Sequence, residues 1–501
     1  MNYLENLKTE ANKTLTLNGA VTHGSTGDAC LDFFAVAGGM RYRRKADQIA
    51  LFDRAYIETP ELAMKLLFHL RDIRCGMGER KLFRTLLRHV ACTWPASAAK
   101  NIPWIAEFGR WDDVFCLLGT PAEQQAAEVI RDRLAADEAA LRRRESGEAD
   151  AHISLLAKWL PSDNASSPLT RKTAARLIEA LGMQVRDYRR LVTALRARIG
   201  LTERQLTRRR AGRINYEAVP AQAMLKYRGA FARRDPERFS GYLAGVKAGE
   251  KRIHTGTLFP YEVLRPFFNH QYDPDVPLRD MGNEVLQQLW DHLCGAVANT
   301  NAISVVDTSG SMYCSGGALL PALVSQAMGL YCAERCKGIF HNHMITFESV
   351  PHLVEIHGET LEDKLRYLYT LPVGGSTNLE AVFDLILNTA VKYGARQEEL
   401  PAVIYIFSDM EFNCCMQNAD KTVYENARER FEARGYRMPA VVFQNVNSWQ
   451  MQAPVMARTR GTALASGAAT HTMEHDFDGN ITPMDHMLRV LNSARYAMIH
   501  A

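Results

Sequence analysis

No stretch of the sequence approaches 18 uninterrupted apolar residues, so no segment is expected to cross a bilayer as a helix. The N-terminus, Met1 to Lys13, alternates polar and apolar residues and lacks the apolar run of a secretory signal. Cysteine is sparse: ten in 501 residues, scattered among apolar neighbours, too few for a disulfide framework. Reduced thiols and a cytoplasmic setting are the expectation. Cys332 and Cys336 stand at i, i+4, but no second pair with zinc spacing follows, which favours buried helix positions over a metal site. No sequence repeat recurs at a fixed period. No nucleophile, base and orienting group stand in a recognisable set. His341 and His343, and likewise His471 and His475, lack a third ligand. The chain is therefore read as non-enzymatic, with no membrane partner.

What is present is ample apolar content, 47% against 23% charged, over a length that exceeds one ordinary core. Charge is unevenly spread. Residues 1–300 carry 45 Lys+Arg and 35 Asp+Glu, whereas 301–501 carry 15 and 21. Within 151–252 there are 22 basic and only 8 acidic residues. Such a split predicts two domains with different partners, the basic one facing a polyanion.

The hydrophobic pattern divides the chain in the same way. Residues 1–45 read as an irregular, glycine-containing opening anchored by Leu31, Phe33 and Phe34. From Ala46 to Val297 apolar residues recur at spacings of three and four, as in Leu62, Leu66, Leu67 and Leu70, and in Leu82, Leu86 and Val90. Thr59-Pro60-Glu61 is a helix start with Pro60 at the first position. Many short amphipathic helices imply an array of helix pairs over 1–297, and the polar link 161–168 suggests a sub-boundary. From 298 to 501 short apolar strands alternate with helices, beginning with 302–306 and including 402–407 and 440–443. That alternation predicts a doubly wound α/β domain with a parallel sheet, whose ligands sit beyond the carboxyl ends of its strands.

Asp307-Thr308-Ser309-Gly310-Ser311 directly follows the first of those strands. A carboxylate and two hydroxyls converging in a tight turn are hard oxygen donors suited to Mg²⁺, Mn²⁺ or Ca²⁺. Thr377, in the loop Gly374-Gly375-Ser376-Thr377-Asn378, and Asp409, closing the strand 402–407, belong at the same sheet edge. The Asp-x-Ser-x-Ser triplet, the later Thr and the still later strand-end Asp resemble the metal-ion-dependent adhesion site (MIDAS) of von Willebrand factor A (vWA) domains. The resemblance implies the ligand set Asp307, Ser309, Ser311, Thr377 and Asp409. It also implies hydroxyls coordinating more directly than the aspartates and an open position for a partner's carboxylate.

Two glycine-bearing polar turns interrupt the helical half: Arg71-Asp72-Ile73-Arg74-Cys75-Gly76-Met77-Gly78-Glu79-Arg80, and Gly109-Arg110-Trp111-Asp112-Asp113. The first lacks Walker spacing and a preceding strand, so Arg–Asp pairing between helices competes with phosphate binding as its purpose. With Asn18-Gly19-Ala20, Ser25-Thr26-Gly27, Leu31-Asp32-Phe33-Phe34, Lys158-Trp159-Leu160-Pro161-Ser162, Tyr188-Arg189-Arg190 and Ile214-Asn215-Tyr216, they resemble a group of uncharacterised proteins over nearly the whole chain. That group is related to the TROVE–vWA architecture of Ro ribonucleoproteins. The resemblance implies a ring of HEAT-like helical repeats that binds small structured or misfolded non-coding RNA. Lys158, Arg186, Arg189, Arg190, Arg204, Arg208, Arg209, Arg210 and Arg213 are the candidate RNA contacts. Arginine forks suit phosphates and stack on bases, although a solvated helix face with internal ion pairs would show the same residues. The competing reading is a protein-interaction scaffold whose metal grips an acidic residue of a partner.

Overall fold

The computed structural model describes residues 12–148, 150–268, 278, 284–295, 297–298, 301–313, 321–347, 350–371, 375–414 and 420–501. Its contacts gather into two units, one of residues 1–59 with 255–493 and one of 60–254 with 494–501.

The second unit is helical, with no strand among its described residues. Pro60 opens the helix Pro60–Arg71, where its missing N–H costs nothing. The helix Arg80–Thr93 buries Leu82, Phe83, Leu86, Leu87 and Val90 along one face. Longer helices follow at Glu123–Glu145, Pro168–Ala180, Val185–Arg198, Ala221–Arg234 and Pro236–Lys247.

The two polar turns are internal clamps. Arg71 is 2% exposed and Asp113 wholly buried, and their charged groups meet at 2.8 Å. Arg84 adds a 2.5 Å contact to Asp113 and one of 2.7 Å to Asp112. Arg110 holds Asp112 through two 2.9 Å bonds and lays its guanidinium 4.1 Å from the centre of the Trp159 ring. Gly109 has no alternative, since a Cβ there would stand 2.4 Å from the Asp113 carboxylate and 2.8 Å from Arg71 Nε. The second turn thus packs against the first and against the Lys158-Trp159 segment, and the pairing reading of these turns holds.

The chain end belongs to this unit, whereas the sequence pattern assigns 298–501 to the α/β half. The physical reason is the buried carboxylate of Asp72, which accepts from Arg495 Nε at 2.8 Å and Nη2 at 3.0 Å. Tyr496 stacks on Phe108 at 5.5 Å, and its hydroxyl lies 2.9 Å from His69 Nδ1. The polar link 161–168 is also no free joint. Tyr188 donates to Pro161 O at 2.7 Å, Arg196 donates to Leu160 O and Ser162 Oγ, and Arg189 forks onto Asp163. Residues 60–254 therefore continue as one unit through it.

The first unit is built on a six-stranded sheet. Its strands are β3 (Ala302–Asp307), β4 (His343–Phe347), β5 (His352–Glu355), β6 (Val403–Ser408), β7 (Ala440–Asn445) and β8 (Thr462–Ser466). The order is β5-β4-β3-β6-β7-β8. All neighbours run parallel except the β4–β5 pair, so the expected parallel sheet carries one antiparallel edge. Strands β3, β6, β7 and β8 are buried at every position, as parallel strands covered on both faces must be. Strand order reverses between β3 and β6, the switch point where such sheets open a crevice.

The opening residues are not irregular and do not belong with the helical array. They form a hairpin of β1 (Lys13–Leu15) with β2 (Val21–His23), followed by the helix Ala29–Val36. Asp28 caps that helix at Leu31 N, and Asp32 receives Ser25 Oγ at 2.6 Å and Thr26 Oγ1 at 2.7 Å. Phe33 and Phe34 are buried, and Ser466 at the end of β8 donates to Phe34 O at 2.7 Å. Cys332 and Cys336 are both buried, and Cys336 Sγ approaches Ala302 O at 3.2 Å.

Removing one member of the buried Arg71–Asp113 pair strands the other, so Asp113→Ala is expected to cost about 3–5 kcal/mol in chemical denaturation. His69 supplies a pH test. Burial drives its imidazole pKa down to about 4, against the opposing pull of Asp72. The unfolded chain takes up the proton near 6.5, so stability present above that pH falls by about 3 kcal/mol as pH drops to 4. Denaturation between pH 7 and 4 should therefore slope less steeply for His69→Gln than for the native chain.

Candidate functional site

The pairing of Val306 with Phe407 brings the carboxyl ends of β3 and β6 level, so Asp307 and Ser408 lie side by side. Ser408 Oγ donates to Asp307 Oδ2 at 2.5 Å, and Ser309 N donates to Asp307 Oδ1 at 2.9 Å. Asp307 N in turn donates to Ser325 Oγ at 3.1 Å, which ties the strand end to the helix Pro321–Arg335.

Hydroxyls connect the two carboxylates. Ser309 Oγ lies 3.1 Å from Ser311 Oγ. Ser309 also hydrogen-bonds to Asp307, and Ser311 hydrogen-bonds to Asp409. Trp449 Nε1 donates to Asp409 Oδ2 at 3.1 Å, and Glu411 N donates to Oδ1 at 3.2 Å. Thr377, 1% exposed, joins the same strand ends through its backbone: its carbonyl accepts from Asn413 N at 3.0 Å. Asp307, Ser309, Ser311 and Asp409 are thus one contiguous cluster, with Thr377 bound to the loop that carries Asp409. Ser408, Trp449 and Asn413 position the cluster. Only Ser408, adjacent to Asp409, gave a sequence signal; Trp449 arrives from a different strand end.

The electrostatics are those of a site short of positive charge. Asp307 is fully buried, and burial, then the charge of Asp409, pushes its pKa up to about 7. Burial also raises Asp409, and Glu411, 1% exposed, is raised for the same reason. Among the described residues no three His, Cys, Asp or Glu side chains converge as metal ligands. The donor set here is two carboxylates and serine hydroxyls, hard oxygens that fit a magnesium-like cation rather than a zinc-like one.

The hairpin braces this site from behind. Leu17 N donates to Glu411 Oε2, Asn18 Nδ2 to Glu411 O and Thr16 Oγ1 to Phe412 O, each at 2.6 Å. The Asn18-Gly19-Ala20 motif therefore holds the Asp409 loop. Met410 adopts φ +65°, a strained value for a non-glycine residue, inside that loop.

In the helical unit the nine basic candidates separate by burial and by partner. Lys158 pairs with Glu203 at 3.1 Å, Arg189 with Asp163, and Arg190 loosely with Asp187 at 3.8 Å. Arg204 is half-buried. Arg186, Arg208, Arg209, Arg210 and Arg213 are exposed and have no ion pair among the described residues. Four of these five stand in one turn after the helix Thr202–Thr207. That turn is held from below: Arg234 donates to Leu206 O and Arg238 to Ile214 O at 2.9 Å. Arg209 has φ +54°, with Arg210 N closing back on Gln205 O at 2.9 Å. Glycine would suit that left-handed position better than arginine.

Residues 16–129 and 123–303 match a family described as a domain of unknown function (DUF2828), and residues 301–486 match a second (DUF7788). The chain is 27% identical to the uncharacterized protein L728 of Acanthamoeba polyphaga mimivirus over 96% of its own length and 87% of that protein. The crystal structure of the Deinococcus radiodurans RO (RSR) protein is similar to it with a TM-score of 0.44 and 15% identity, over 93% of this chain and 99% of that one. By the extent of the first match, the chain belongs to the DUF2828 family.

Proposed function

We propose that this chain is a non-catalytic, Ro-type RNA-binding protein. In this reading the helical unit is a TROVE-like array of HEAT-type repeats that takes structured or misfolded non-coding RNA on its arginine surface. The carrying observation is the turn Arg208–Arg213, four exposed guanidiniums without acidic partners on a backbone pinned by Arg234 and Arg238. A pinned backbone fixes where these side chains leave the chain, and guanidiniums present forks that match phosphates. Arg186 is likewise exposed and without an ion pair among the described residues, whereas Lys158 and Arg189 serve internal pairs. Retaining arginine at a position that favours glycine is consistent with a demand on the side chain rather than on the turn.

The α/β unit is read as a vWA domain with a MIDAS in which Asp307, Ser309, Ser311, Thr377 and Asp409 would hold Mg²⁺ or a similar divalent cation. When bound, the cation would offer an open coordination position to a carboxylate of a protein partner. The residues' own part is to gather hard oxygens at one strand end and to hold two carboxylates out of water, where a cation relieves their repulsion.

Two experiments test these readings. If about five arginines meet phosphates, log Kd should rise with log salt at a slope of about 4 for RNA. Arg208→Glu with Arg210→Glu should weaken binding and flatten that slope, and no binding at low salt even by the native chain overturns the proposal. Arg209→Gly should raise stability by about 0.5–1 kcal/mol while reducing RNA affinity. For the metal, a saturating Mg²⁺ concentration, near 100 times Kd, should stabilise the protein by about 2.7 kcal/mol. Asp409→Asn should abolish that increment, read as the difference between Mg²⁺-loaded and metal-free melts of the same variant, so that a change in its metal-free stability cancels. An increment that survives in the variant counts against the site.

A further inference from the structure

A second polar pocket lies in the α/β unit, away from the strand-end cluster in sequence, and the motifs discussed above do not touch it. Its volume is about 310 Å³, within the size range of small-ligand sites. His23 at the end of β2, Thr422 and Arg428 of the helix Val423–Ala433 and its cap, and Arg458, Thr459 and Arg460 line it. The region 301–501 carries more acid than base, yet three of its arginines surround this one cavity.

Arg458 and Arg460 have no ion pair among the described residues, and Arg428 reaches Glu432 only at 3.8 Å. The one carboxylate on the wall, Glu425, accepts Thr422 N at 3.0 Å and completes that helix's capping box. Burial holds the His23 imidazole below its usual range. The pocket is therefore net positive.

The turn that presents the two unpaired arginines is rigid. Thr459 Oγ1 accepts Met456 N at 3.1 Å, Thr459 N donates to Met456 O at 3.1 Å, and Thr462 Oγ1 donates to Thr459 O at 2.6 Å. The hydroxyl of buried Tyr424 donates to Arg460 O at 3.0 Å, and Gly461 turns the chain into β8 at φ +71°. Arg458 and Arg460 thus leave a fixed backbone on either side of Thr459, facing a helix that contributes Arg428. Guanidiniums arranged around a bounded hollow suit a compact polyanion with several acceptor oxygens.

We propose that this pocket binds a small phosphate-bearing molecule, with its phosphate oxygens taken by Arg428, Arg458 and Arg460. The inference is independent of the RNA reading and of the metal site. Calorimetric titration of the full-length protein with inorganic pyrophosphate, in EDTA to remove any contribution from a divalent cation, provides the test. The expectation is saturable binding at a stoichiometry near one, weakened at least tenfold in Arg458→Gln/Arg460→Gln. Both side chains are exposed, so this variant should keep the native circular dichroism spectrum and melting curve. The same titration on Arg208→Gln/Arg210→Gln should be unchanged. Absence of saturable binding overturns the proposal. So does binding that survives Arg458→Gln/Arg460→Gln, whether or not the variant of the helical unit loses it.

Discussion

Two carboxylates are held out of water at the ends of adjacent parallel strands, and much of the α/β unit is arranged around that fact. Burying ionised groups in proximity is unfavourable unless hydrogen bonds or a counter-charge offset it. The hydrogen bonds are supplied from widely separated parts of the chain. Ser408 comes from the neighbouring strand, Ser309 and Ser311 from the turn, and Trp449 from beyond the next strand. Even so, Asp307 remains well above the ordinary carboxylate range. The hairpin at the start of the chain then fixes the Asp409 loop through Glu411 and Phe412. A parallel sheet provides this geometry because its strands share a direction, so neighbouring strand ends come level on one side.

The helical unit handles charge in the opposite way. Two of its buried acids, Asp72 and Asp113, are answered by arginine, from Arg495 in one case and from Arg71 and Arg84 in the other. The Arg71–Asp113 pair lies so close over Gly109 that no side chain fits there. Once Lys158, Arg189 and Arg196 have also been drawn into internal contacts, the basic excess of 151–252 resolves into a smaller set of free guanidiniums. That set is concentrated in the turn after Thr202–Thr207, and its position there rests on two more arginines that are spent on carbonyl oxygens. Arginine in this unit therefore has two roles, and the acids and carbonyls that the fold brings within reach separate them.

The motifs that carry the family resemblance mostly mark structural contacts. Arg71 and Asp113 are partners, Arg110 stacks on Trp159, Tyr188 reaches Pro161, and Asn18 reaches the Glu411 carbonyl. Polar residues in fixed spacing signal that something specific must be met. They do not say whether it is a ligand or the next turn of the same chain.

Strand and helix alternation after residue 298, the strand-end position of Asp307 and Asp409, and the amphipathic helices of 60–254 were legible in the sequence. Each depends on local periodicity or on residues that follow a strand directly. The antiparallel edge at β5 and its place beside β4 were decided by the fold. Contacts distant in sequence were decided by the tertiary structure alone. The opening hairpin and the helix after it joined the α/β unit because Thr16 meets the Phe412 carbonyl and Ser466 meets the Phe34 carbonyl, and the last eight residues joined the helical unit because Asp72 needed Arg495. The division between paired and unpaired arginines belongs to the same class. A run of basic residues has one appearance in sequence, whereas its meaning depends on which acids the fold brings within about 3 Å.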